Sequence, residues 1–263
     1  MTITLSALYR YPLKSAQGQA LSHSAVSPQG LPLDRDWMIA TPEGLYITAR
    51  THPQLIRVQA IPNDDGIFFS APGMDDIFVP LSAFQRQQQA EIWDDHFAAR
   101  SGAQAANDWF SSYLEQTVIV MWIGLEPHRR VRRRPEIAIS FNDGYPLLLI
   151  GEASLHELNR RAGQDFDMRR FRPNLVIANS AAFAEDGWRK IKIGEVIFEI
   201  VKPCERCAIT TLDPDTALAA ARGEPLRTLA SFRKAADGVI FGQNIIALNR
   251  GQLKPGQPVT ILD

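Results

Sequence analysis

Short β-rich runs, each ended after a few residues by glycine or proline, most constrain what this chain can fold into. "TLSALYRYP", "DWMIATPEGLYITAR" and "GIFFSAPGMDDIFVPL" carry the pattern through the first third. Strand formers bounded by turn formers read as many short strands, and in the second stretch Pro42-Glu43-Gly44 between two apolar runs is hairpin chemistry. A helix is expected after Ser101, a good N-cap, with Ala106, Trp109, Phe110, Tyr113 and Leu114 forming one apolar stripe. The second half supplies "TVIVMWIG", "YPLLLIG" and "PNLVIAN" as strands and "GEVIFEIVK" as a strand of period two. It also supplies a helix over "EASLHELNRRA", with Leu155, Leu158 and Ala162 inward, and a helix beginning near Pro225 with Leu226, Leu229 and Phe232. The end, "NIIALNRGQLKPGQPVTILD", reads as two strands around a Gly/Pro turn, with "LKPGQPV" as a hairpin. The chain is therefore expected to be mixed α+β and β-dominated, with closed or strongly curled sheet and a boundary between residues 85 and 135.

Bulk properties narrow the function. With 263 residues and 45% hydrophobic composition, the chain can bury a sizeable core without staples. Its 28 Lys and Arg nearly cancel 29 Asp and Glu, so no global field favours nucleic acid or acidic membranes. No run approaches the ~18 apolar residues of a membrane span. "MTITLSALYRYPLKS" lacks the features of a secretory signal, and two cysteines exclude a disulfide-built secreted fold. The expectation is a cytoplasmic protein. The most biased segment, "EPHRRVRRRPE", holds five arginines between Arg129 and Arg134. It reads as a solvated, mobile connector between two halves, with an anion site at its border as the other reading.

Both cysteines fall in "VKPCERCAITTLDPDT", three positions apart. A structural zinc site needs four ligands, and the histidines (His23, His52, His96, His128, His156) are scattered. A thioredoxin-type pair belongs at a helix start, whereas this one follows a strand and Pro203 and precedes "AITTL", whose β-branched residues favour extended chain. Two readings stay open. The thiols are buried small apolar groups, or Cys207, with Arg206 beside it and Lys202 near, favours the thiolate and ligates a soft metal whose other ligands come from a cofactor. Asp213-Pro214-Asp215 reads as a turn and helix start rather than a catalytic carboxylate pair.

The chain resembles the MOSC proteins, in the branch of the mitochondrial amidoxime-reducing components and their bacterial relatives. The resemblance covers nearly all of it and rests on eight segments in order: "YPLKS" (11–15), "LDRDWMI" (33–39), "TAR" (48–50), "NDGYPLLLIGEASL" (142–155), "FRPNLVI" (171–177), "KPCERCAITTLDPDT" (202–216), "GEPLRTL" (223–229) and "FGQN" (241–244). It implies an amino-terminal β-barrel-like domain, residues 1–95. It further implies a MOSC β-barrel domain with peripheral helices, residues 96–263, of which 96–136 are helix and connector. The implied cofactor is the molybdenum cofactor, a molybdopterin, with Cys207 as catalytic residue and metal ligand. Lys14, Ser15, Arg35, Asp143, Gly144, Arg172, Asn174, Glu205, Arg206, Cys207 and Asn244 would line its cleft, while Cys204 would be a neighbouring or packing thiol. The implied activity is reduction of N-hydroxylated or N-oxide compounds, a detoxification chemistry, on amidoximes, hydroxylamines or N-hydroxylated bases. No cysteine follows Cys207 to hold an iron-sulfur cluster, so electrons would come from an external ferredoxin, flavodoxin or flavin reductase, or from a further ferredoxin-like domain if these residues are part of a longer protein. Nucleic acid and membrane are not expected partners. A non-redox carrier of cofactor or sulfur on Cys207 is the alternative, and a polyanion-binding module using residues 129–134 a weaker one.

Overall fold

A computed structural model describes residues 2–262. The chain is mixed α+β and strand-rich, as expected, and most of its strands build two curled sheets, beside three smaller ones of two or three strands.

The larger sheet has nine strands. Its path runs from Gln19–Ala20 through Thr4–Arg10, Leu175–Ala178, Leu147–Gly151, Gly238–Ala247, Val196–Glu205 and Lys190–Ile193 to Val259–Ile261. Lys234–Ala235 pairs with the Gly238–Ala247 strand off this path. Leu5 N donates to Gln257 O, Gly256 N to Leu5 O and Val259 N to Ile3 O, which join the last strand back to Thr4–Arg10 and close the sheet. Alternate residues point inward, as the two-residue strand period requires. Leu147 and Leu149, Leu175 and Ile177, Ile191 and Ile193, Val196 and Phe198, and Ile245 and Ala247 fill the interior. The unbroken apolar run "YPLLLIG" is explained by its other face, where Leu148 and Ile150 pack with Leu155, Leu158 and Leu229. These come from helix α2, Glu152–Ala162, and helix α3, Leu226–Phe232. Leu147–Gly151 and Leu175–Ala178 pair in parallel, so α2 is their crossover.

The smaller sheet runs Tyr46–Ile47, Trp37–Ala40, Ile119–Trp122, Asp95–Ser101, Arg86–Ile92. The Glu91 N to Gly44 O bond returns the last strand to the first. Met38, Ala40, Ile92, Phe97, Met121 and Phe141 fill its inside. Outside, Trp37, Ile39 and Val120 pack on helix α1, Gln104–Leu114, and on a three-stranded sheet of Gln59–Pro62, Gly66–Ser70 and Ile77–Pro80.

Two chain segments cross the expected division at residue 95. Asp95–Ser101, α1 and Ile119–Trp122 pack with the first half, while Thr4–Arg10 is a strand of the second sheet. The α1 stripe is as expected, with Ala106, Trp109, Phe110 and Leu114 buried. Its cap is not, because Ala103 occupies the N-cap and Ser101 ends the preceding strand, donating to Gln88 Oε1 at 2.9 Å.

Three further local expectations fail. The arginine-rich stretch is no solvated connector, because Arg130–Val131 and Arg134–Ala138 form a hairpin in which Val131 and Ile137 join Ile139 and Ile246 in a small core. "LKPGQPV" is no hairpin, since Gly251–Leu253 pairs with Ser24–Val26 and Val259–Ile261 with Lys190–Ile193. "AITTL" is not extended, as Ala208–Thr211 is a 3-10 turn in which Thr210 Oγ1 donates to Cys207 O at 2.9 Å. There the β-branched preference yields to a hydroxyl that satisfies the turn's own carbonyl.

Candidate functional site

All eleven residues proposed from the sequence for the cofactor site line one cleft of about 500 Å³. They reach it from loops and strand ends spread along the chain. Lys14 and Ser15 follow the Thr4–Arg10 strand, and Arg35 precedes Trp37–Ala40. Asp143 and Gly144 precede Leu147–Gly151, and Arg172 and Asn174 precede Leu175–Ala178. Glu205 ends its strand, Arg206 and Cys207 follow it, and Asn244 lies within Gly238–Ala247. Ser15, Arg35 and Arg172 have left-handed backbones, with φ of 70°, 56° and 55°. Such conformations cost non-glycine residues about 1–3 kcal/mol, and they gather at binding sites because the turn aims the side chain.

Lys14 is buried, and its Nζ donates to Phe141 O and Asp143 Oδ1, both at 2.7 Å. Desolvation lowers the Lys14 pKa, and Asp143 opposes that shift. The Asp143 side chain is 70% exposed toward the cleft. Burial of its surroundings works against its ionisation, but the Lys14 charge and hydrogen bond, Trp93 and Arg50 outweigh this and hold the carboxyl down at about 2.

Arg35 and Arg172 both stack on Tyr11, their guanidinium carbons 4.4 and 4.3 Å from the ring centre. Arg35 is braced by Asp34, by Asn174 Oδ1 at 3.1 Å and by Arg172 O at 3.3 Å. Arg172 is less well satisfied. Its Nη1 donates to Ala16 O, but its Nη2 is buried with no acceptor among the described residues. Burial, with the like charge of Arg35 next, lowers the Arg172 pKa to about 10. A buried donor without a partner costs about 1–3 kcal/mol. The pair is thus a cationic element whose charge the protein leaves partly uncompensated. Six cationic side chains line the cleft (Lys14, Arg35, Arg50, Arg172, Lys202, Arg206) against three carboxylates (Asp143, Glu205, Asp237).

On the opposite strand end, Arg206 Nη1 lies 3.0 Å from Cys204 Sγ and its Nη2 donates to Phe171 O at 2.6 Å. The arginine beside Cys207 is therefore committed to Cys204 rather than to Cys207. Cys204 is half-buried, against the Phe171 and Phe241 cluster, while Cys207 is exposed in the cleft and caps the 3-10 turn. Lys202 pairs with Glu205 at 2.7 Å. Asn244 Nδ2 donates to Pro203 O at 3.3 Å, and Gly144 has open space around its Cα. Among the described residues, no three His, Cys, Asp or Glu side chains converge as a metal cage.

The sequence reading missed cleft residues too. Thr48 and Arg50 were visible in "TAR" and Asn142 and Tyr145 in "NDGYPLLLIGEASL", whereas Trp93 carried no signal of its own. The Asp213-Pro214-Asp215 turn is structural, with Asp213 and Asp215 paired to Arg170 and Arg169 at 2.9 and 2.8 Å. No helix starts there.

Comparison with known proteins gives the family. Residues 2–117 match the MOSC N-terminal beta barrel domain and residues 136–260 match the MOSC domain. The chain is 32% identical to mitochondrial amidoxime-reducing component 1 of Homo sapiens, over 98% of this chain and 83% of that protein. This chain belongs to the MOSC-domain family. Identity to the Mus musculus component 1 is 33%, over 98% of this chain and 82% of that protein. To the Bos taurus component 2 it is 31%, over 97% and 82%. Among the described residues of this MOSC protein, no helix is long and apolar enough to cross a membrane.

Proposed function

We propose that this MOSC protein is a molybdenum-cofactor-dependent reductase of N-hydroxylated compounds, amidoximes among them. One observation carries the reading: cations from both halves of the chain converge on a cleft that also holds a single exposed thiol, Cys207. Relatives matched over 97–98% of this chain and 82–83% of their own length are named for amidoxime reduction, which supports the substrate class.

The side chains fit an anionic pterin cofactor. Arg172 and Arg206 line the cleft, and among the described residues their buried Nη2 and Nε have no acceptor, so an anion in the cleft would offset charge that the protein leaves unmet. Lys14, Arg35 and Arg172 would hold the anionic end, Asn174 would orient Arg35, and Cys207 would give the metal its one protein thiolate. When bound, the cofactor supplies two-electron redox chemistry at its metal. The reaction balances as cleavage of one N–O bond with two electrons and two protons consumed and water released. The electrons come from an external protein donor. Cys207 acts by ligation rather than by attack on substrate.

The test is to make the protein in a host competent for the cofactor, measure molybdenum, and assay benzamidoxime reduction with an artificial low-potential donor. Equimolar molybdenum with turnover supports the reading. Molybdenum without turnover shifts it to a cofactor carrier, and protein that takes up no molybdenum overturns it.

A further inference from the structure

The cleft is also lined by Trp93, a residue not among those assigned to the cofactor. Trp93 forms the tip of the hairpin between Arg86–Ile92 and Asp95–Ser101, and it lines the same cleft as Cys207. Its φ is 55°, a left-handed conformation that is an outlier for a bulky residue, at a tip where glycine or asparagine fits without cost. It is 49% exposed. A large aromatic is thus kept both strained and wet, two costs that packing of the hairpin does not require.

Its orientation is nevertheless specified from three sides. The Trp93 Nε1 donates to Asp143 Oδ1 at 3.4 Å, the atom that also accepts from Lys14. The Arg50 guanidinium carbon sits 4.5 Å from the ring centre, and Arg50 is itself anchored to Tyr46 Oη at 2.9 Å. The Tyr46 ring is 5.8 Å from Trp93 and tilted by 51°. An indole held by its N–H and by a cation on its ring, with half its surface open, is a preorganised stacking shelf. Little side-chain entropy remains to be lost when a ligand arrives.

We infer that Trp93 is a specificity-determining residue: it receives the planar aromatic part of a substrate whose N-hydroxylated group reaches deeper into the cleft. The inference rests on the reductase reading for the reacting group, while the shelf itself selects aromatic over aliphatic ligands. Aromatic stacking on a fixed ring is worth roughly five- to tenfold in affinity.

The experiment measures binding without an electron donor, so that turnover plays no part. Benzamidoxime and acetamidoxime are titrated into the cofactor-loaded protein and into its Trp93→Ala and Trp93→Phe variants, with molybdenum content determined for each. Expected are a roughly five- to tenfold weaker benzamidoxime Kd in Trp93→Ala, recovery of most of it in Trp93→Phe, and an acetamidoxime Kd and molybdenum content that stay put. Equal weakening of both ligands, loss of molybdenum, or an unchanged benzamidoxime Kd each overturn the inference. Should the wild type bind benzamidoxime in this Trp93-dependent way yet fail to reduce it when a donor is added, the reductase reading falls while the shelf stands.

Discussion

Cys207 and Arg172 show how a binding residue differs from a stabilising one. Cys207 is exposed and contributes no core contact, so Cys207→Ala is expected to reduce N-hydroxylated substrate at background rate while leaving the thermal midpoint within about 2 °C. Turnover at the original rate would remove Cys207 from the metal. Arg172 carries a buried orphan donor next to Arg35, set against one bond to Ala16 O and its packing on Tyr11. In protein made without cofactor, Arg172→Met should therefore cost no more than about 1 kcal/mol in denaturant unfolding, because the lost bond and the relieved donor are of similar size. In protein made with cofactor, the same change should strip most of the molybdenum. A large stability loss in the cofactor-free state would mean that Arg172 is there for the fold. Residues of this kind were legible in the sequence because each sits in a segment of fixed chemistry, "YPLKS", "LDRDW", "FRPN" or "KPCERC". Trp93 was not, because a single tryptophan in a polar turn is written the same way whether it faces solvent or a cleft.

Among elements, the 140–144 loop bears on how well the cleft is formed, and two of its supports, Arg129 and Asp36, do not line the cleft. Arg129 is 3% exposed and gives its guanidinium to Asp95 and to the carbonyl oxygens of Ser140, Asn142 and Asp143. Replacing Arg129 by Met leaves those acceptors without a donor, at an expected cost of about 2–4 kcal/mol, and should loosen cofactor retention although Arg129 does not line the cleft. Urea unfolding and molybdenum content check the two halves of that statement. Nothing in "EPHRRVRRRPE" distinguished this arginine from its neighbours, since five identical charges within six positions carry no marker of which one turns inward. Asp36 braces the same loop by accepting a hydrogen bond from Ser140 Oγ. Desolvation raises its pKa to about 7, against the smaller opposing effect of Ser140. A carboxyl raised in the fold above its ordinary value of 3.8 binds more protons folded than unfolded between those limits. Its contribution to stability is thus complete below that ordinary value and is lost as pH rises through about 7. Asp36→Asn should remove this slope, so the thermal midpoint of the variant minus that of wild type should climb between pH 5 and 8. A flat difference would mean that the Asp36 pKa is not raised in the fold.

At the scale of the molecule, the two sheets are not two independent units joined by a tether. Composition and turn spacing announced a curled, β-dominated chain, but they did not reveal that the first strand would leave its own half. Thr4–Arg10 is flanked on one side by Leu175–Ala178 and on the other by backbone bonds to residues 256–259, and Leu5 and Leu8 are buried in the larger core. Register of this kind depends on partners some 170 positions away, as in the Thr4 to Ala178 pairing, and local patterning carries no record of them. The same strand leads directly into Tyr11, Lys14 and Ser15, so closing the larger sheet and placing the first cations of the cleft are one folding event. Without that strand, a fragment of residues 118–263 has an unpaired edge on each side of the gap and loses two leucines worth about 1.5–3 kcal/mol each. That fragment is expected to lack a cooperative thermal transition and to aggregate. Co-expression with residues 1–117 should return a soluble complex with a single transition, measurable by calorimetry. A fragment 118–263 that melts cooperatively by itself would show that the larger sheet closes without its first strand, and would leave the cleft as an interface between two separately folded units.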